Sequence, residues 1–136
     1  MSAGPALGGG YAFTNFNDPQ ATGNTYATGI NNGGQLAGDD ANSTGYHGFV
    51  ETQSGFTTLN DPAVPTETVA DAINDADQVV GYLWTGTSWQ GFPHNGSYSA
   101  IDDPLASAGT LVWGLNNAGQ IVGTTMSARR ATVSSN

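Results

Sequence analysis

The sequence predicts an all-β protein made of three tandem four-stranded units, each like one blade of a β-propeller. Three observations carry this expectation. A ten-residue stretch occurs three times, as Gly29-Ile30-Asn31-Asn32-Gly33-Gly34-Gln35-Leu36-Ala37-Gly38, Ala72-Ile73-Asn74-Asp75-Ala76-Asp77-Gln78-Val79-Val80-Gly81 and Gly114-Leu115-Asn116-Asn117-Ala118-Gly119-Gln120-Ile121-Val122-Gly123. Its leading aliphatic residues, Ile30, Ile73 and Leu115, are 43 and then 42 residues apart, a spacing typical of propeller blades. The chain also holds 20 Gly, with much Asn, Ser and Thr and no long amphipathic helical pattern, which points to many turns between short strands. A β-trefoil, also three repeats of four strands, is the alternative, with a three-sheet β-prism behind it.

Residues 1–10 read as a flexible lead-in of Gly, Ala and Pro, and 11–136 as a single repeat domain. Next comes Phe13-Thr14-Asn15-Phe16-Asn17-Asp18-Pro19, which recurs as Phe56 to Pro62 and as Tyr98 to Pro104. Each copy predicts a short strand ending at a turn, because Pro cannot donate to a strand ladder and forces the residue before it to be extended. Asp18, Asp61 and Asp103 are expected to fix turn amides there.

Each ten-residue stretch then predicts a hairpin. Asn31, Asn74 and Asn116 open the turn and can hydrogen-bond backbone two residues on, with Asn32, Asp75 and Asn117 beside them. Gly34, Asp77 and Gly119 fall where a type I turn followed by a G1 bulge needs positive φ. A third strand follows at Gly45 to Val50 and at Ser88 to Pro93, marked by Gly-Phe, with a degenerate copy near Arg130 to Val133. In this phase the chain enters on a fourth strand and leaves on a third. Known closed propellers start at four blades, so three should close only by oligomerisation. In a dimer, the strand near Phe13 of one chain would complete the unit ending near Val133 of the other, giving a six-bladed ring; a rotation that failed to close would build a filament.

Composition narrows the function classes. Net charge is −9, there is no Lys, and Arg129 and Arg130 are the only basic residues. Nucleic-acid binding lacks its basic stripe, and anionic membranes are disfavoured for the same reason. No stretch reaches the length of a membrane span, so no membrane insertion is expected. Cysteine is absent, so no disulfide framework exists. The start lacks the basic end and apolar core of a signal peptide, and the entry part-way through a repeat suggests a mature or excised segment.

The order Gly-Ile-Asn-Asn-x-Gly-Gln, His47-Gly48-Phe49 and Phe56-Thr57-Thr58 to Asp61-Pro62 resembles the HAF-type extracellular repeat family of bacterial proteins, over roughly residues 11–134. The resemblance implies a secreted or surface protein with tandem repeats, and supplies no catalytic residues.

No catalytic constellation is visible, and the expectation is a non-enzyme with no cofactor and no metal. His47 and His94 occupy non-equivalent repeat positions and lack metal-ligand spacing. No Gly-x-Ser-x-Gly elbow occurs. The run Asp71 to Asp77 departs from a calcium loop. Asp39-Asp40 and Asp102-Asp103 read as solvated turn acids whose neighbours point to opposite faces. Aromatics are the better lead: Trp84 and Trp89 flank a hairpin tip at Thr85-Gly86-Thr87, with His94 and Tyr98 nearby, and rings beside polar groups can stack on sugars. Trp113 reads as core. The expected function is a non-catalytic binding module for glycan or matrix. The alternative is a self-assembling structural subunit, with a hydrolase third.

Overall fold

The three Asn turns fold as sequence chemistry demands. In each, the backbone closes by an N–H of Gly34, Asp77 or Gly119 donating to the carbonyl of Asn31, Asn74 or Asn116, at 3.0, 3.1 and 3.0 Å. Those donors have φ of 77°, 60° and 76°, the left-handed region where Gly is free and Asp is tolerated. The Asn amide clamps the turn further. Its Oδ1 accepts from the backbone N–H of Gln35, Gln78 or Gln120, and its Nδ2 donates to the same Gln side chain.

A computed structural model describes residues 2–3, 10–63, 67–127 and 132–135, with side chains for 10–63 and 67–127. It is all-β, and among the described residues no helix is long and apolar enough to cross a membrane. The strands are β1 (Ser2–Ala3), β2 (Thr14–Asn15), β3 (Thr25–Ile30), β4 (Leu36–Asn42), β5 (Gly45–Thr52), β6 (Gly55–Leu59), β7 (Thr68–Ile73), β8 (Val79–Trp84), β9 (Trp89–His94), β10 (Gly109–Leu115), β11 (Ile121–Met126) and β12 (Thr132–Ser135).

In the first unit β3-β4-β5-β6 forms a four-stranded antiparallel sheet in chain order. The second unit repeats this with β7-β8-β9, and two isolated bridges, Gly91 with Ile101 and His94 with Tyr98, stand where a fourth strand would be. The third holds β10-β11-β12 and is joined to β9 through a single parallel pair, Gly109 with Trp89. Of the expected lead-in, Ser2–Ala3 is a strand paired with β2, and residues 4–9 lie outside the described residues. Likewise Arg130 and Ala131 of the degenerate third strand lie outside them, while β12 follows directly.

Every hairpin carries the same irregularity. Register slips between Ala27 and Gly29, Ala70 and Ala72, and Val112 and Gly114, leaving Thr28, Asp71 and Trp113 as bulge residues. A bulge turns its side chain out of the ladder and tightens the local twist. The final Gly of the motif answers it. A Cβ at Gly38, Gly81 or Gly123 would collide with the carbonyl of Tyr26, Val69 or Leu111 on the facing strand. The motif's closing glycine is thus explained by its own hairpin.

Consecutive units stack face to face. β7 packs on β3, β4 and β5, and β10 packs on β7 and β8. The core between the first two units is Ala37, Leu59, Ala70, Ile73 and Val79. The Gly of each Gly-Phe strand permits the approach: a Cβ at Gly48 would press on Thr68 and Ala70, and one at Gly91 would overlap Val112. Phe49 and Phe92 fill equivalent buried positions on the other face. Asp18, Asp61 and Asp103 each accept the backbone N–H two residues on, from Gln20, Ala63 and Leu105, all at 2.8 Å.

The turns are also tied to one another. Asn31 Nδ2 donates to the carbonyl of Asn74 at 3.1 Å, and Asn74 Nδ2 donates to the carbonyl of Asn116 at 3.2 Å. One position on, the Asn32 backbone N–H donates to Asp75 Oδ1 at 2.8 Å and the Asp75 N–H to Asn117 Oδ1 at 2.9 Å. The Asn32 and Asn117 side-chain amides both donate to Asp75 Oδ2, at 2.7 and 2.8 Å. Asn74→Ala removes a clamp and a rung from a buried site and is expected to cost about 2–3 kcal/mol. Asn116→Ala removes the clamp at an exposed turn with no onward rung, and should cost about 1 kcal/mol less in urea unfolding.

Candidate functional site

Strand alternation and the bulge together place an aromatic and acidic cluster across the units. Tyr82 and Trp84 lie two apart on β8 and so share a face, and Trp89 pairs directly with Trp84 across β8 and β9. The Trp84 and Trp89 rings are 5.1 Å apart. Tyr82 meets Trp89 edge-on at 5.4 Å and Trp113 edge-on at 5.4 Å. Trp113 is 46 % exposed and donates from Nε1 to Thr124 Oγ1 at 2.8 Å. The expectation that it is core is therefore corrected: it occupies the bulge of β10, which turns it outward.

His94 and Tyr98 do not join this cluster. His94 lies five residues after Trp89 on the same strand, and an odd separation sends it to the opposite face. There it tilts on Tyr98 at 4.7 Å, and Tyr98 packs on Phe92 and on the core between the first two units. Burial lowers the His94 pKa, and raises that of Tyr98 to about 12 with help from Asp61. These two residues are packing elements.

Asp39 and Asp40 are not where solvated turn acids would be, unlike Asp102 and Asp103. Asp39 and Asp40 sit inside β4, 7 % and 2 % exposed. Adjacent strand residues diverge, so Asp40 faces Asp18 and His47, while Asp39 faces the second unit. Asp39 and Tyr46 of the first unit, with Glu67, Val69, Tyr82 and Trp89 of the second, line a cleft of about 260 Å³. Asp71, the bulge residue of β7, adjoins Asp39, and its Oδ2 is buried with no hydrogen-bond partner among the described residues.

The electrostatics follow from that burial. Desolvation, then the neighbouring Asp40, raises the Asp39 carboxyl to about 6. Desolvation, then Asp39, raises Asp71 to about 7. Desolvation, then Asp71 and Asp39, pushes the Tyr82 phenol up to about 12. The cleft therefore offers one carboxyl, Asp39, that ionises near pH 6, and a phenol, Tyr82, that stays protonated as a donor, with Asp71 beside them rather than in the lining. Asp75 behaves oppositely: donors from Asn32, then Asn117, lower its pKa at the exposed turn. Its oxygens are engaged in the rungs, which is its place in the run Asp71 to Asp77. His47 is enclosed by hydrogen bonds to Asn60 at 3.0 Å and Thr44 at 2.8 Å. Asp102 accepts from Gln90 Nε2 at 2.8 Å on the surface.

Tyr82, Asp39, Asp71, Tyr46 and Glu67 were not singled out from the sequence as site residues. Aligning the three units on their Asn turns would have exposed most of them. Thr28, Asp71 and Trp113 share one position, and Asp39, Tyr82 and Thr124 share another. The unit frame is constant while these positions change chemistry. Comparison with protein-family models, with curated proteins and with solved structures finds no match.

The raised acids fix a pH dependence. A group whose folded pKa lies above its unfolded value stabilises the fold while protonated, and that stability is lost as pH rises through the folded pKa. For Asp39 and Asp71 the loss runs upward from the ordinary carboxyl value of 3.8 and is complete near pH 6 and pH 7. Melting by calorimetry should give a lower Tm at about pH 8 than at about pH 5. Asp71→Asn should raise the Tm at the higher pH and narrow the difference; an unchanged profile would show that Asp71 is not buried against Asp39.

Proposed function

We propose that this chain is a non-catalytic carbohydrate-binding module, built of propeller-like blades, from a secreted or cell-surface bacterial protein of the HAF-type repeat class. The observation that carries the binding function is the cleft between the first two units. It sets the rings of Tyr46, Tyr82 and Trp89 beside the carboxyls of Asp39 and Glu67. A pyranose has an apolar C–H face and a rim of hydroxyls. The rings supply a stacking surface for the face, and the carboxylates and phenols accept from or donate to the rim. At about 260 Å³ the cleft is below the usual drug-sized range and suits one or two sugar rings.

The blade architecture is supported by the open chain-order sheet β3-β4-β5-β6 and by the face-to-face stacking of successive units on their first strands. Strands in chain order within each sheet favour blades over the trefoil. The secreted or surface location rests on the repeat resemblance, and on an acidic surface nearly free of basic residues that keeps the chain from nucleic acid.

A glycan array followed by titration calorimetry tests the binding. Trp89→Ala should weaken the ligand about tenfold or more while the fold survives, because the ring contributes on the order of 1.4 kcal/mol. Asp39→Asn should weaken it less, and should abolish the gain in affinity expected as pH rises through about 6, where Asp39 ionises and becomes a stronger acceptor. No array signal for the wild type, or binding indifferent to Trp89→Ala, would overturn the proposal.

A further inference from the structure

The geometry points to head-to-tail docking of a second copy of this chain, in which the outer face of the third unit receives the outer face of the first. Equivalent positions in the three units reveal the two uncovered faces. Ile73 faces the first unit and is 5 % exposed, whereas its counterpart Ile30, with no unit before it, is 67 % exposed. On the other face, Ala37 and Val80 are 0 % and 1 % exposed under the following unit, whereas their counterpart Val122 is 43 % exposed. The two bare patches are different surfaces. They correspond to the two sides of the interface that already exists twice within the chain.

The rungs between turns end in matching groups. Each Asn donates from Nδ2 to the next unit's carbonyl, so the series runs from Asn31 to Asn74 to Asn116. Asn116 Nδ2 has its clamp to Gln120 but, among the described residues, no onward acceptor. At the other end the Asn31 carbonyl accepts, among the described residues, only its own turn N–H from Gly34, whereas the Asn74 carbonyl accepts both Asp77 N–H and Asn31. The second row matches in the same direction: the Asn117 backbone N–H and the Asn32 Oδ1 have no partner among the described residues, and they stand where Asp75 N–H meets Asn117 Oδ1 within the chain. A copy placed by the same unit-to-unit step satisfies both rows, buries Ile30 and Val122, and sets Thr124 opposite Thr28 at the bulge. Two such contacts between two chains close a ring of six units, and a step that fails to close extends a filament; either is heterologous. Each chain carries −9, so association should strengthen as salt screens the repulsion.

The test is solution mass by light scattering on a sizing column, with wild type, Ile30→Asp and Val122→Asp. Both substitutions fall at exposed positions, and circular dichroism verifies that each variant is folded. Wild type should run as two chains or as a longer series. Each variant alone should be a single chain, because every contact needs one intact face of each kind. Mixing the two variants should restore a pair, since one keeps the face the other has lost. Because a pair held by one seam can dissociate on a column, cysteine trapping provides the second reading in this Cys-free chain. Under mild oxidation, Asn32→Cys mixed with Asn117→Cys should form the mixed disulfide in excess over both like pairs. A wild type that is a single chain at every concentration, a variant that still self-associates, or a statistical mixture of disulfides would overturn the inference.

Discussion

The side chain of Asn74 spends every hydrogen-bonding position it has. Its Oδ1 accepts from Ala76 and Gln78, and its Nδ2 donates to Gln78 and to the carbonyl of Asn116. Three of these four bonds hold the turn of its own hairpin, and the fourth fixes the distance to the next one. The same amide is therefore a local turn former and a long-range spacer. Since the turn sits at the end of the first two strands of each unit, its position sets how those strands stack, and so which side chains meet between units. A buried amide left half satisfied would cost more than it contributes, which is why the Asn and Gln of each stretch come as a pair.

Given this frame, the chemistry between units is decided by two positions. The bulge residue of one unit meets a strand residue of the unit before it. Between the first and second units these are Asp71 and Asp39, and between the second and third they are Trp113 and Tyr82. The first pair is two acids that resist ionising together, and the second is an edge-on aromatic contact. Both use the same backbone. Burial and mutual repulsion both favour the protonated form of the two acids, which can share the site while they stay uncharged.

The all-β class and the three Asn turns were legible because they rest on local chemistry, Asn at the turn and a φ-permissive residue three later, whereas the fourth strand expected before Asp103-Pro104 forms only as isolated bridges. The Gly-Phe signature was also visible, although its reason, the approach of Thr68 and Val112 of the following units, is not local. What escaped was burial across units. Asp39 looks like a surface acid in Gly38-Asp39-Asp40, and only the stacking of the second unit encloses it. Trp113 looks like core within an apolar strand, and only the one-residue slip after Val112 turns it outward. His94 and Tyr98 neighbour the tryptophans in sequence, but the two-residue period of a strand separates them from the cluster.

The repeated bulge has a further consequence for how such a protein can change. The slip recurs with three different side chains at Thr28, Asp71 and Trp113, so what the three share is the backbone pairing and the facing glycines, while Thr28 and Trp113 each add a bond across their own hairpin. Each junction is thus a socket of fixed shape whose contents can be exchanged without refolding the rest. Duplicating a unit copies the socket, and a single substitution then gives the copy a new affinity. A lengthened array could present several different sockets side by side on one continuous scaffold, each tuned separately.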